Sequence, residues 1–183
     1  MLEQYLIKYC SPTLASLKTA SLFRFPYTKP HELMKSLAVY RKRLAPKGVS
    51  ILIIKQTACS ALIYVYRERQ LEADLKKPGV KAFLSQLGYH FDTPIEAISR
   101  LMERFSQSED FPHEVGLFLG YPLWDVSGFI HHQGRNCKLS GHWKVYSHEK
   151  DARVLFDRFN HCKAIYQRLW QEGKSVAELT VAA

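Results

Sequence analysis

The chain has 183 residues, of which 46% are hydrophobic and 23% charged. That composition supports a packed core and excludes a disordered chain. No apolar run reaches the ~18 residues of a membrane span, and an opening segment that contains Glu3 lacks the basic start and long apolar stretch of a secretory leader. A cytoplasmic protein with no membrane partner is therefore expected. Cys10, Cys59, Cys137 and Cys162 are too few for a disulfide framework, and reduced thiols fit that compartment. The net charge of +9 is uneven: residues 1–50 carry nine basic and two acidic side chains.

In chain order, Leu2, Tyr5, Leu6 and Tyr9 lie at helical spacing. Ser11-Pro12 predicts a restart, with Ser11 as cap and Pro12 at the first helical position. Residues 21–25 read as a short strand. Pro30 opens a helix with Leu33, Leu37, Tyr40 and Leu44 on one face, stopped by Pro46, Lys47 and Gly48. Residues 49–56 and 61–66 are two β-rich runs around a four-residue loop, a hairpin. The run 51–54 is apolar on both faces, which predicts a central strand. Residues 71–87 are helical and interrupted at Pro78-Gly79. Thr93-Pro94-Ile95-Glu96 is a capping box ahead of the apolar stripe Ile95, Ile98, Leu101, Met102 and Phe105.

Residues 115–120 read as a third strand, followed by a tight turn and a short helix near 126–131. Residues 143–147 read as a further strand, and Ser147 as the cap of the longest helix. That helix has Ala152, Leu155, Phe156, Phe159, Cys162, Tyr166, Leu169 and Trp170 on its inner face, and Gly173 ends it. Ser175-Val176-Ala177-Glu178 is a second capping box. Absence of linkers or repeats predicts a single domain over 1–183. Its class is α+β: a small mixed sheet of about four to five strands with a central hairpin, packed by helices including the long C-terminal one. Leu155, Phe156, Phe159 and Trp170 are expected to pack on strand residues Ile51, Ile53, Ile63 and Val65.

Three separated segments carry a resemblance. They are Cys10-Ser11-Pro12-Thr13-Leu14-Ala15-Ser16-Leu17-Lys18, the stretch 111–130 with its Leu119-Gly120-Tyr121-Pro122 turn, and Cys137-Lys138-Leu139-Ser140-Gly141-His142-Trp143-Lys144-Val145-Tyr146. In this order they resemble the bacterial family catalogued as domain of unknown function 3793. The resemblance implies a soluble cytoplasmic protein without an assigned reaction, and it carries over no catalytic residue.

Three groups of residues could carry chemistry. Cys10, ahead of the expected helix start at Pro12, could be a thiolate stabilised by the helix N-terminus, with His113 or His142 as its base. That would be the core of a cysteine-dependent hydrolase or transferase. A buried packing thiol is the competing reading. His113, His132, Cys137 and His142 are candidate ligands for a metal or haem, although no recognised ligand spacing is present. In the strand–turn–helix around 115–130, Gly116 and Gly120 would permit close approach of a ligand or of another backbone. Tyr121, Trp124 and Trp143 offer flat rings, and Lys138 and Lys144 offer charge. Asp125 is either a helix cap or a ligand group.

The leading expectation is binding of an anionic planar small molecule, of the haem, flavin or nucleotide kind, in a redox or iron-related role. The basic run from Lys29 to Lys47, with Lys35, Arg41, Lys42 and Arg43, allows a nucleic acid or acidic protein as partner, but no recognition motif accompanies it.

Overall fold

The computed structural model describes residues 2–107 and 110–182. Three strands form its main sheet: β1 (Ala20–Pro26), β2 (Val49–Gln56) and β3 (Ser60–Arg67), in the order β1-β3-β2 with both pairings antiparallel. The helices are α1 (Leu2–Leu14), α2 (Pro30–Leu44), α3 (Glu68–Leu75), α4 (Val80–Gln86), α5 (Pro94–Gln107), α6 (Val115–Phe118), α7 (Leu123–His131), α8 (Glu149–Gln171) and α9 (Val176–Leu179). A second sheet pairs two-residue strands, β4 (Leu139–Ser140) and β5 (Lys144–Val145). The class is α+β with a long C-terminal helix, and the strands divide between two antiparallel sheets.

The two faces of the main sheet follow from alternation along its strands. Phe23 and Phe25, Val49 and Ile51, and Ala61, Ile63 and Val65 face a core built with α1, α2, α8 and α9. Leu22, Leu52 and Ile54, and Leu62, Tyr64 and Tyr66, face a second core built with α3 to α7. The register shifts between Ile53 and Lys55, so Ile54 is the extra residue of a bulge. The central strand is β3. β2 is an edge strand, contrary to its doubly apolar pattern. That pattern arises because helices cover both its faces, α2 on one side and α5 on the other.

Four local expectations change in the same way. The first helix does not restart at Ser11: α1 runs unbroken to Leu14 with Pro12 in its last turn. The Ser11 hydroxyl donates to the Ile7 carbonyl, and the helix continues through Pro12 with one backbone bond, to the Lys8 carbonyl, given up. Residues 115–118 are helical, not extended. The hairpin loop shortens to three residues because Ser60 joins β3. α8 is capped by His148 at φ 55°, not by Ser147.

α8 packs chiefly along α1. Phe156 belongs to a separate small cluster with Val145 and Ala152 against Leu139 and Trp143. Cys162 and Tyr166 join the main core, with Trp170 packed against it. The capping boxes form as read: Glu96 accepts from the backbone N–H of Asp92 and Thr93, and Ser175 and Glu178 bond reciprocally.

Arg67 ties the C-terminal tail to this frame. It is 1% exposed, and its guanidinium donates to the carbonyls of Thr13, Leu14, Lys47 and Val181. The end carbonyls of α1 thereby gain the cationic partner that a helix C-terminus favours.

Candidate functional site

The site is built on residues 110–148. α6 begins where Val115 and Gly116 donate to the carbonyls of Pro112 and His113. It ends in a Schellman turn: the Tyr121 N–H reaches the Gly116 carbonyl at 2.9 Å, and the Gly120 N–H reaches Leu117 at 3.1 Å. Gly120 takes φ 80°, the left-handed conformation this turn needs. Gly120-Tyr121-Pro122 is thus a helix stop, where a strand exit was expected. A Cβ at Gly120 would also meet Thr19 Oγ1 at 2.6 Å. At Gly116 a Cβ would lie 2.8 Å from Val126 Cγ2, so this glycine lets α7 close against α6. Both glycines serve close packing of the protein's own side chains.

Asp125 is 2% exposed and organises the β4–β5 hairpin. Its Oδ2 accepts the indole N–H of Trp143 at 2.8 Å, and its Oδ1 accepts the backbone N–H groups of Tyr146 at 2.7 Å and Ser147 at 3.2 Å. The carboxylate is neither the cap of α7, which is Pro122, nor a free ligand group. Held this way, Trp143 stacks on Tyr121 with ring centroids 4.6 Å apart and meets Phe156 edge-on at 4.6 Å. Gly141 admits Phe156: a Cβ there would lie 2.4 Å from the ring.

Between α6, α7 and this hairpin lies a cavity of about 420 Å³. Its walls are Leu22, Phe111, Val115, Leu119, Tyr121, Val126, Phe129 and Trp143. Its polar groups come from His113, Ser140, His142 and Lys144, with Asp125 already engaged. Lys144 Nζ donates to the Gly134 carbonyl at 2.5 Å and lies 5.9 Å from the Phe129 ring centroid. The His113 ring sits 4.7 Å from Phe129. His142 pairs its Nε2 with Asn160 Oδ1 at 3.0 Å. Burial pushes its pKa down, opposed by the Asn160 hydrogen bond and helped by Lys18 and Lys163 nearby.

The structure therefore brings together His113, Gly116, Tyr121, His142, Trp143 and Lys144 of the expected residues. It places others elsewhere. Trp124 is 50% exposed against His148, Lys138 is exposed, and Gly120 borders a neighbouring cavity. His132 stacks on Tyr146, so the four candidate metal ligands are not assembled. Among the described residues no group of three or more His, Cys, Asp or Glu could hold a metal ion.

Cys10 is 0% exposed in the interior of α1, and burial pushes its thiol up to about 12 against the opposing effects of Lys18 and Ser21. The helix N-terminus that was to activate it is absent. In the basic run, Arg41 donates to the Ile51 carbonyl at 2.8 Å, and Lys47 reaches the carbonyls of Ala177 and Thr180. Lys35, Lys42 and Arg43 remain exposed.

Sequence reasoning missed Lys18. Its amine lies 5.1 Å from the Tyr121 ring centroid and borders a second cavity of about 300 Å³, which shares Trp143 and Leu119 with the first. No local pattern marks it, because the cavity forms from the segment between α1 and β1, from α3 and α8, and from the turn at Gly120.

Among the described residues, no helix is long and apolar enough to cross a membrane. Searches of curated proteins and of solved structures find no significant match. The family model described as "Protein of unknown function (DUF3793)" matches residues 6–180, and the chain belongs to that family.

Proposed function

We propose that the cavity of about 420 Å³ binds a planar, anionic small molecule of the haem, flavin or nucleotide kind. The observation that carries this reading is the Tyr121–Trp143 stack, held in the cavity wall by a buried carboxylate, with the Lys144 amine on the same cavity. The volume lies within the range of small-molecule sites, which are mostly apolar with a few placed polar groups. Flat rings favour a conjugated ligand, and a cation favours a phosphate or carboxylate. His113 and His142 both border the cavity and are the groups a haem iron would use.

Titration with flavin mononucleotide, ATP and haem, followed by tryptophan fluorescence, tests the reading. Saturable quenching by one of them is expected, with affinity reduced roughly tenfold or more in Lys144→Glu, as loss of a charged hydrogen-bond partner implies. No saturable binding of any of the three refutes it.

A further inference from the structure

The two edges of the main sheet differ. In the β1–β3 ladder the bonded pairs fall on odd residue numbers. The Arg67 N–H reaches the Thr19 carbonyl at 3.0 Å and the Tyr27 N–H reaches the Cys59 carbonyl at 2.9 Å, in the register that sets Ala20 opposite Tyr66. Alternation along an antiparallel pair then turns the N–H and C=O of Leu22 and Arg24 away from β3, toward the outer side of β1. On β2 the outward carbonyl of Ile51 accepts from Arg41 at 2.8 Å, and α2 packs along that strand. The bulge at Ile54 blunts the same edge further. On β1, among the described residues, no hydrogen bond reaches the outward backbone groups of Leu22 or Arg24.

The side chains beside this edge give it a chemical character. Arg24 is exposed and borders a cavity of about 270 Å³, with Lys55 as the other cation on its wall and Asp110 as the carboxylate. Arg24 Nε donates to Ser60 Oγ at 2.8 Å, and among the described residues no ion pair engages Arg24 or Lys55. Exposed Phe111 borders this cavity and also the larger one, whose wall it shares with Leu22. On the opposite face of the sheet Tyr9 stacks on Phe23 and keeps part of its surface exposed. The edge is therefore apolar at Leu22 and Phe23 and cationic at Arg24.

We propose that the outer edge of β1 docks an extended peptide bearing an acidic side chain, which joins the sheet as a further strand. The outward groups of a strand edge are complementary to another strand, and pockets for alternate side chains give such docking its specificity. Running antiparallel to β1, the peptide exchanges one pair of backbone bonds with Leu22 and one with Arg24. Its side chain opposite Arg24 lies on the same face as Arg24, where a carboxylate meets the guanidinium and Lys55. The next side chain faces Tyr9, and the one after lies against Leu22 and Phe111, so both positions suit apolar residues. Charge decides against a second copy of this chain as the occupant. Two β1 strands paired about Phe23 would bring two Arg24 side chains together on one face, where like charges destabilise a sheet. Pro26, which has no N–H to offer, ends the open run.

The test uses the full chain and the end-blocked, fluorescein-labelled peptide Thr-Val-Glu-Val-Val-Thr, followed by fluorescence anisotropy. Saturable binding is expected, weakened roughly tenfold or more by Arg24→Glu in the chain or by lysine in place of the peptide's glutamate. Methylating the backbone nitrogen of that glutamate removes its bond to the Arg24 carbonyl and should abolish binding. Methylating the nitrogen of the next residue, which points away from β1, should leave binding largely intact. Arg24→Pro deletes the outward N–H without touching the β3 ladder and should also abolish binding. No saturable binding to the wild type overturns the proposal. Binding that both methylated peptides retain overturns it too, because adsorption through side chains would then suffice. A dimer in native mass spectrometry that Arg24→Pro dissociates would assign the edge to a second copy and overturn it as well.

Discussion

Replacing Asp125 with alanine removes the group that holds the hairpin against α7. Three donors lose a charged acceptor: the Trp143 indole and the backbone N–H groups of Tyr146 and Ser147. A hydrogen bond to a charged group contributes about 1.5–3 kcal/mol, and an abandoned buried donor costs about 1–3 kcal/mol. The hairpin lies at the surface and can open to water, so the lower end applies, about 1 kcal/mol for each donor or about 3 kcal/mol in all. For a domain of this size that lowers Tm by roughly 6–12 °C. Thermal unfolding followed by circular dichroism measures it. Tryptophan emission should shift to the red as Trp143 leaves its stack with Tyr121, and the flavin titration should weaken in parallel. Asp125→Asn keeps one oxygen for the two backbone amides and should lose only about 1–2 kcal/mol. A loss below about 1 kcal/mol in Asp125→Ala with unchanged emission would show that packing alone holds the hairpin.

Three further outcomes are expected. Gly141→Ala drives a methyl to 2.4 Å from the Phe156 ring and should destabilise by about 1–3 kcal/mol, a loss that Phe156→Leu in the same chain should partly restore in chemical denaturation. In the native state at pH 8, iodoacetamide should modify exposed Cys59 and leave Cys10 untouched until denaturant is added; native-state alkylation of Cys10 would contradict its burial. For Lys18 the folded pKa of about 8 lies below the unfolded value near 10.4, so the unfolded chain binds more protons in that window and stability should rise with pH there. Cys10, raised to about 12 when folded, opposes this above the ordinary thiol value of 9.0, so the clean comparison is wild type against Lys18→Met between pH 8 and 9. Parallel stability curves for the two proteins would refute the shift.

Much of the element pattern was legible in the sequence because its signals are local. The Thr93 and Ser175 capping boxes close bonds across three residues and form as read. Gly48 and Gly173 stop helices in the left-handed conformation that other side chains disfavour. The stripe on α5 repeats over several turns, enough to separate a helix from a strand. Of the candidate site, the Tyr121 and Trp143 rings and Lys144 were named from residue chemistry alone, and they do share one cavity.

Tertiary structure decided whatever depends on what lies next door. The apolar run 115–119 suits either a strand or a buried helical turn. The Tyr64 hydroxyl meeting the Phe118 carbonyl at 2.6 Å, and the Schellman turn at Gly120, belong to the helical solution. β2 carries the pattern of a central strand yet lies at the edge, because burial of a strand's faces and pairing of its edges are independent. Cys10 lost its supposed helix start because α1 continues through Pro12 to Leu14, which leaves Cys10 in the helix interior. Asp125 acquires its role from a residue 18 positions away, Trp143. Charge and hydrogen bonding act through space over a few ångströms, and only the folded chain determines which groups come that close.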